Sequence, residues 1–256
     1  MPDFTTLFST PLAFAVMFGG IAIGGIARGY SGFGMSALVV ASWSLVADPA
    51  TAVAVVLLLE IVASVAQAMS VWRDVPWKRV GLLLAGAAVG TPLGVALLVY
   101  TPRDPLRLII AAFVLVASLL MLKGLSFRRR TGPAGTVAVG VGSGVANGAV
   151  AMGGLPLALF LAADGDTPAH MRAAAVAYFF LLDIMSFALL LRQDIVTEQV
   201  LWLAVLALPL MLVGLWFGSR RFAGATPESF RRSILWLLMV IAGIGIAQGL
   251  WRVVFG

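Results

Sequence analysis

Long apolar runs, broken by short polar or glycine-rich stretches, dominate the chain and set the elements it predicts. Ala52–Met69 carries a single charge, Glu60; Gly81–Tyr100 and Leu108–Leu122 carry none; Ile195–Ser219 carries only Glu198, near its start. A helix that crosses a bilayer needs about 20 such residues at a rise of about 1.5 Å each. The pattern predicts full spans near 51–72, 80–100 and 106–123, and again near 170–191, 199–219 and 231–252. Two shorter apolar segments precede each set of three: 11–27 and 33–46, then 135–146 and 152–163. The basic stretch Lys123–Arg130 and Gly132-Pro133 separate the halves. This divides the chain into a first transmembrane repeat (1–125), a basic cytoplasmic linker (126–134) and a second repeat (135–256).

The halves match in detail. Shifted by 119 residues, Gly25-Ile26-Ala27-Arg28-Gly29 lies over Gly144-Val145-Ala146-Asn147-Gly148, Gly34 over Gly153, and Asp48-Pro49-Ala50 over Thr167-Pro168-Ala169. With small gaps, Gly90 and Gly94 match Gly214 and Gly218, and Thr101-Pro102 matches Thr226-Pro227. The same order of glycines, turn and Thr-Pro loop points to an internal repeat. Loop charges set its sense. If each broken segment makes no net crossing, one side of the membrane carries 12 Lys/Arg in its loops and the other 4; if each crosses once, the split is 9 to 7. The bias of basic residues toward the cytoplasm favours the first. The expected fold class is an all-α polytopic membrane protein of two inverted-topology repeats, each a broken glycine-rich helical hairpin followed by three transmembrane helices. Two complete short helices per half would give the same parity as a re-entrant hairpin.

Composition agrees and narrows the chemistry. Hydrophobic residues make up 61% of the 256 and charged residues 11%, about half the charged share of a soluble domain. There is no cysteine, which excludes disulfides and thiolate-held clusters, and the one histidine, His170, makes a dedicated metal site unexpected. No cofactor is expected. The net charge of +6 sits in loops between apolar segments, which suits a membrane surface better than nucleic acid. Met1–Thr10 has no basic stretch and the first apolar segment shows no cleavage pattern, so no removable signal peptide is expected. Trp72, Trp77, Trp216 and Trp251 fall near span ends, as an interfacial belt does.

Arg28, Glu60 and Asp183 are the charged residues well inside apolar segments. A charge at the bilayer centre costs about 2.5 kcal/mol or more, so each needs a partner, water or neutralisation. Arg28 opens the run Arg28-Gly29-Tyr30-Ser31-Gly32-Phe33-Gly34. As the tip of a broken hairpin, this run offers a guanidinium fork, the Ser31 hydroxyl, glycine backbone that a ligand can approach, and the free N–H groups of a helix N-terminus. The matching tip, Asn147-Gly148 to Gly153-Gly154, adds an amide and a second helix start. Two such tips meeting near a pseudo-two-fold axis would enclose a small anion. The plainer alternative is that Arg28 snorkels to a headgroup and the glycines only admit close helix packing. Candidate substrate-binding residues are Arg28, Gly29, Tyr30, Ser31, Gly32, Gly34, Asn147, Gly148, Gly153 and Gly154. Asp183 and Glu60 are candidates for coupling to protons, or for structural hydrogen bonds, with Asp183 pairing to Arg28 as a further option.

Several of these features are familiar together: a glycine-rich broken segment opening each half, a Gly-x3-Gly span, a Pro-containing return loop, and Trp72-Arg73 with Trp77-Lys78-Arg79 in the first half. Over about residues 12–250 the chain resembles the TauE/SafE sulfite exporter family. Ser31-Gly32-Phe33-Gly34 stands where many members carry a Gly-Gly-Gly run, while Gly153-Gly154 and Pro156 are kept. The resemblance implies a permease of the bacterial inner membrane for sulfite or small organosulfonates such as sulfoacetate and isethionate, often an exporter.

Of three functions, secondary transport of a small sulfur oxyanion fits best, with alternating access driven by substrate or proton gradients, since no GxxxxGK[ST] nucleotide loop is present. An anion channel would need a continuous wet pore. A membrane-embedded enzyme lacks support, because HExxH and a second histidine are both absent. The expected partners are the anion, the bilayer and, if coupling holds, protons. Apolar surfaces that meet lipid and those that meet a second subunit read alike, so a homodimer stays open.

Overall fold

The computed structural model describes residues 10–31, 34–123, 132–163, 168–221 and 227–255. Among them are ten α-helices and no strand: α1 (Pro11–Ser31), α2 (Met35–Trp43), α3 (Pro49–Val71), α4 (Trp77–Tyr100), α5 (Arg103–Leu122), α6 (Pro133–Val150), α7 (Gly154–Ala163), α8 (Pro168–Arg192), α9 (Glu198–Arg221) and α10 (Pro227–Phe255). Seven of these, all but α2, α6 and α7, are long and apolar enough to cross a membrane. The chain is an all-α polytopic membrane protein.

Helix ends follow local chemistry. Asp48 caps α3 by accepting the Thr51 N–H at 3.2 Å, and Pro49 begins the helix with its fixed φ. Gly34 precedes α2 at φ 96, a conformation that only glycine adopts without strain. Ala151 ends α6 in the left-handed region at φ 54, with the Ala151 N–H on Asn147 O and the Met152 N–H on Ala146 O. This is the double hydrogen bond of a helix end usually closed by glycine.

The broken segments are longer than their pattern predicts. α1 runs to Ser31 rather than Ala27, and α6 covers 133–150 rather than 135–146. With 21 residues α1 is as long as a full span, against the expectation that the opening segments are short. Arg28-Gly29-Tyr30 and Asn147-Gly148 are therefore the last turns of helices and not loop tips. The reason lies in packing. A Cβ on Gly29 would collide with the Leu215 carbonyl of α9, and one on Gly148 with the Thr91 carbonyl of α4. These glycines mark close helix contacts instead of breaks. Gly32, which the sequence places in the tip, lies outside the described residues.

The tightest contacts join the halves crosswise. α1 packs on α9 and α6 on α4, while α3 meets α8 and α5 meets α10. The α4–α6 contact is a glycine interlock. A Cβ at Gly86, Gly90 or Gly94 would strike the backbone of Val137, Val141 or Val145, and one at Gly140 or Gly144 that of Leu83 or Ala87. Residue numbers rise together along both helices, so they run parallel. Gly25 and Gly29 against Met211 and Leu215, with Gly214 and Gly218 against Ala22 and Ile26, repeat the same parallel contact between α1 and α9. Gly20 faces Ser42 and Gly24 faces Met35, so α2 turns back along α1. Gly245 near Ala111 and Gly249 near Leu108 make α5 and α10 antiparallel. Without a hydrophobic drive between helices in lipid, such backbone approach supplies the van der Waals contact that holds them.

Trp72, Trp77, Trp216 and Trp251 are all exposed at helix ends, with Trp72 and Trp77 edge to face at 4.9 Å.

The interlock is testable by adding single methyl groups along α4. Gly90→Ala should lower stability by about 1–3 kcal/mol through overpacking. Gly81→Ala, where a Cβ meets nothing within 4 Å, should leave it unchanged or raise it by up to about 1 kcal/mol. Unfolding of the detergent-solubilised variants measures both; equal stability of the two would remove the interlock.

Candidate functional site

Arg28 lies in the last turn of α1, fully buried. Its Nη2 donates to Ser64 Oγ at 2.6 Å, and its Nε stands 3.1 Å from Glu60 Oε2. The Nε–H is not aimed at that oxygen, so the contact is an ion pair rather than an aligned hydrogen bond. The guanidinium also sits 5.6 Å from the centre of the Phe179 ring. Glu60 lies eleven residues from either end of α3. Its other oxygen, Oε1, accepts the Ser36 N–H at the start of α2 at 3.2 Å. The donors expected of an anion site, a guanidinium and a helix N-terminus, are thus both present, and both face the carboxylate of Glu60.

Asn147 holds the equivalent place in the last turn of α6. Its Nδ2 donates to Asp183 Oδ1 at 2.9 Å and to Ser186 Oγ at 3.0 Å. Its Oδ1 accepts the Gly153 N–H at 3.3 Å, and Ser143 Oγ donates to Gly153 O at 2.8 Å, which ties the break to the helix before it. Asp183 Oδ2 is buried and has no hydrogen-bond partner among the described residues.

These groups converge. Arg28, Glu60, Asn147 and Asp183 are 0%, 4%, 1% and 2% exposed. With Gly34, Ser36, Ala151, Gly154 and Phe179 they line one cavity. Its volume is about 10 Å³, room for about one water. Among the candidates from sequence, Arg28, Gly34, Asn147, Gly154, Glu60 and Asp183 meet here. Gly29 and Gly148 face neighbouring helices instead; the Gly29 carbonyl accepts from Arg172 Nη2 and Ser219 Oγ, each at 3.2 Å. Tyr30 is buried away from this lining. Gly153 contributes its N–H to Asn147. The Ser31 side chain and all of Gly32 lie outside the described residues. His170 is exposed in the first turn of α8. Among the described residues, no three His, Asp or Glu side chains group together as metal ligands would.

Ser36, Ser64, Phe179 and Ser186 were missed from sequence. The 119-residue shift would have found some of them. It pairs Ser64 with Asp183 and Gln67 with Ser186, and both helices begin at paired prolines, Pro49 and Pro168. At that shift the Arg28–Ser64 contact falls in register with the Asn147–Asp183 contact. The departure is Glu60. Its counterpart is Phe179, so the first half carries its carboxylate one helical turn earlier than the second does.

A bundle of apolar helices that closes around charged groups paired with one another is a multi-pass membrane protein built to handle something polar at its centre. The chain belongs to the sulfite exporter TauE/SafE family, a family of membrane transporters, whose model matches residues 16–246. Comparison with curated proteins and with solved structures gave no match.

The ion pair makes a stability prediction. Arg28→Met leaves the Glu60 carboxylate buried without its countercharge, and should cost about 3–5 kcal/mol. Arg28→Met with Glu60→Gln should recover most of that loss. Chemical unfolding of the single and double variants measures the difference; additive losses would mean that the two side chains are not coupled.

Proposed function

We propose that the protein is a secondary transporter that moves a small sulfur-containing anion, such as sulfite, sulfoacetate or isethionate, across the bacterial inner membrane by alternating access. The observation that carries this reading is the convergence of a buried guanidinium and a helix N-terminus on one carboxylate. A sulfite or sulfonate presents the same chemistry as that carboxylate, with oxygens that accept from a forked donor and from backbone N–H groups. Membership of a family described as sulfite exporters supports the sulfur anion over others. A cavity of about 10 Å³ supports a carrier caught closed over a continuous pore.

The two halves, 1–125 and 135–256, are proposed as inverted repeats. Five helices per half, each reversing the last, make the second half enter in the opposite sense. Parallel packing of α1 on α9 and α4 on α6, and antiparallel packing of α5 on α10, support this arrangement. Carriers with such repeats bind substrate where the broken helices meet, and rock one element against another around it. Glu60 and Asp183, buried in that place, are the carboxyls that proton coupling would use.

Two experiments test these points. In a thermal-shift screen of sulfite, sulfate, sulfoacetate, isethionate and taurine, at least one sulfur anion should stabilise the wild type. A ligand at about 100 times its Kd adds about 2.7 kcal/mol. Arg28→Lys should weaken that binding about tenfold or more, because a point charge lacks the guanidinium fork; unchanged affinity would remove Arg28 from the site. For topology, the absence of cysteine allows single-site labelling. Arg73→Cys should react with an impermeant maleimide only from the cytoplasm, and Gln193→Cys only from outside. Labelling of both from one side would make the repeats parallel.

A further inference from the structure

The donors that would hold a transported anion are occupied by a side chain of the protein itself. Glu60 presents one oxygen to the Arg28 guanidinium at 3.1 Å and the other to the Ser36 N–H at 3.2 Å. A carboxylate so placed occupies the position and the charge of a ligand. The cavity beside it has about 10 Å³, so an anion larger than a water cannot join Arg28 while Glu60 stays. Two anions sharing one guanidinium in a site screened from water repel each other strongly. Glu60 must therefore leave, and a carboxylate leaves a cation most readily once protonation has removed its charge.

We propose that Glu60 is a built-in competitor for the transported anion: an anion reaches Arg28 only as Glu60 takes up a proton, so that one proton is bound with each anion. This rests on the anion-transport reading above and gives that site its coupling rule. The proton comes from the aqueous phase to which the cavity opens, and the net charge of the site is the same before and after binding.

The surroundings assign the exchange to Glu60 rather than to its neighbour. Facing Glu60 are Arg28 from α1, the Ser36 N–H from α2, Asp183 from α8 and Asn147 from α6; α8 also brings the buried Tyr178 and, beyond Arg28, Arg172, whose guanidinium is bound to the Gly29 carbonyl and not to Glu60. α5 and α9 also pack against α3 but bring no titratable group to the cavity lining among the described residues, and Arg73 and Asp74 sit beyond the end of α3, exposed. Asp183 is held by the Asn147 amide at 2.9 Å and makes no ion pair with Arg28 among the described residues. Arg28 is also held by a contact that does not involve Glu60, the hydrogen bond from its Nη2 to Ser64 Oγ at 2.6 Å. Arg28 can therefore change its anion while Ser64 keeps it in place. The displacement of this carboxylate by one turn from its counterpart in the other half is what brings it onto Arg28.

Isethionate is the suitable probe, because its sulfonate stays ionised from mildly acidic to mildly alkaline pH. Its affinity for the wild type should fall about tenfold per pH unit above the pH at which Glu60 loses its proton. Glu60→Gln should bind at alkaline pH about as tightly as the wild type does in acid, with no dependence on pH. Asp183→Asn should keep the dependence. Calorimetry of the unmodified protein in two buffers of different ionisation enthalpy should show uptake of one proton per anion, which decides the matter even if Glu60→Gln does not fold. Binding without proton uptake, or a Glu60→Gln variant with wild-type pH dependence, overturns the proposal and leaves anion transport standing. If isethionate and the other anions of the panel fail to bind the wild type at every pH, the transport reading falls and this proposal falls with it.

Discussion

A guanidinium has no neutral form to retreat to at any ordinary pH, so a protein that buries one must surround it permanently. Arg28 is such a group, enclosed by side chains from two other helices, Ser64 and Glu60 on α3 and Phe179 on α8, while the start of α2 holds Glu60 through the Ser36 N–H. Each of those helices is fixed in turn by the demand. α2 must begin where its N–H can reach Glu60, which requires the left-handed turn at Gly34. α3 must present Glu60 and Ser64 on one face, four residues apart, as one turn of helix does. Had the arginine been a lysine, burial could have been relieved by losing a proton, and the arrangement would not be compelled.

The glycine interlocks make the arrangement possible. Arg28 reaches the centre because α1 lies directly against the backbone of α9, and α6 lies against α4 in the same way. A methyl group at several of these positions would overlap a neighbouring carbonyl. Gly29 and Gly148 flank the two polar residues, so the close approach extends to where the functional side chains are launched. Small residues thus serve the site indirectly, by setting the depth at which Arg28 and Asn147 project.

How much of this was legible in the sequence depends on what kind of signal each part leaves. The membrane class and the spans were open to reading, because twenty apolar residues in a row suit few surroundings besides lipid. Arg28, Glu60 and Asp183 stood out because charged groups in apolar segments are expensive and need a partner, and Asn147 because it matches Arg28 at the 119-residue shift. Their partners were harder to see. Ser36 and Ser64 are ordinary among many serines, and Phe179 is one aromatic among many. Helix ends were misjudged at Arg28 and Asn147 for a definite reason. A glycine that permits a turn and a glycine that admits a neighbouring helix leave the same letter, and only the identity of the residue opposite, Leu215 or Thr91, separates them. The pairing of Glu60 with Arg28 was unreadable because the internal alignment sets Ser64, not Glu60, opposite Asp183.

The crosswise packing has a consequence for how the chain is assembled. α1 emerges in synthesis well before the helix whose backbone it grips, α9, with α2 to α8 between them. Until then Arg28 has its partners on α3 but its helix has only lipid along the glycine face. The early bundle must therefore wait, loosely docked, for that late helix, and long-range closure of this kind is slow. Each half holds its own broken helix only on one side, through α2 and α3 for α1 and through α7 and α8 for α6, and keeps the glycine-lined groove into which the other's fits. The two interlocks therefore close at different times: α4 can take up α6 as soon as the second half begins, whereas α1 completes its contact only when α9 arrives.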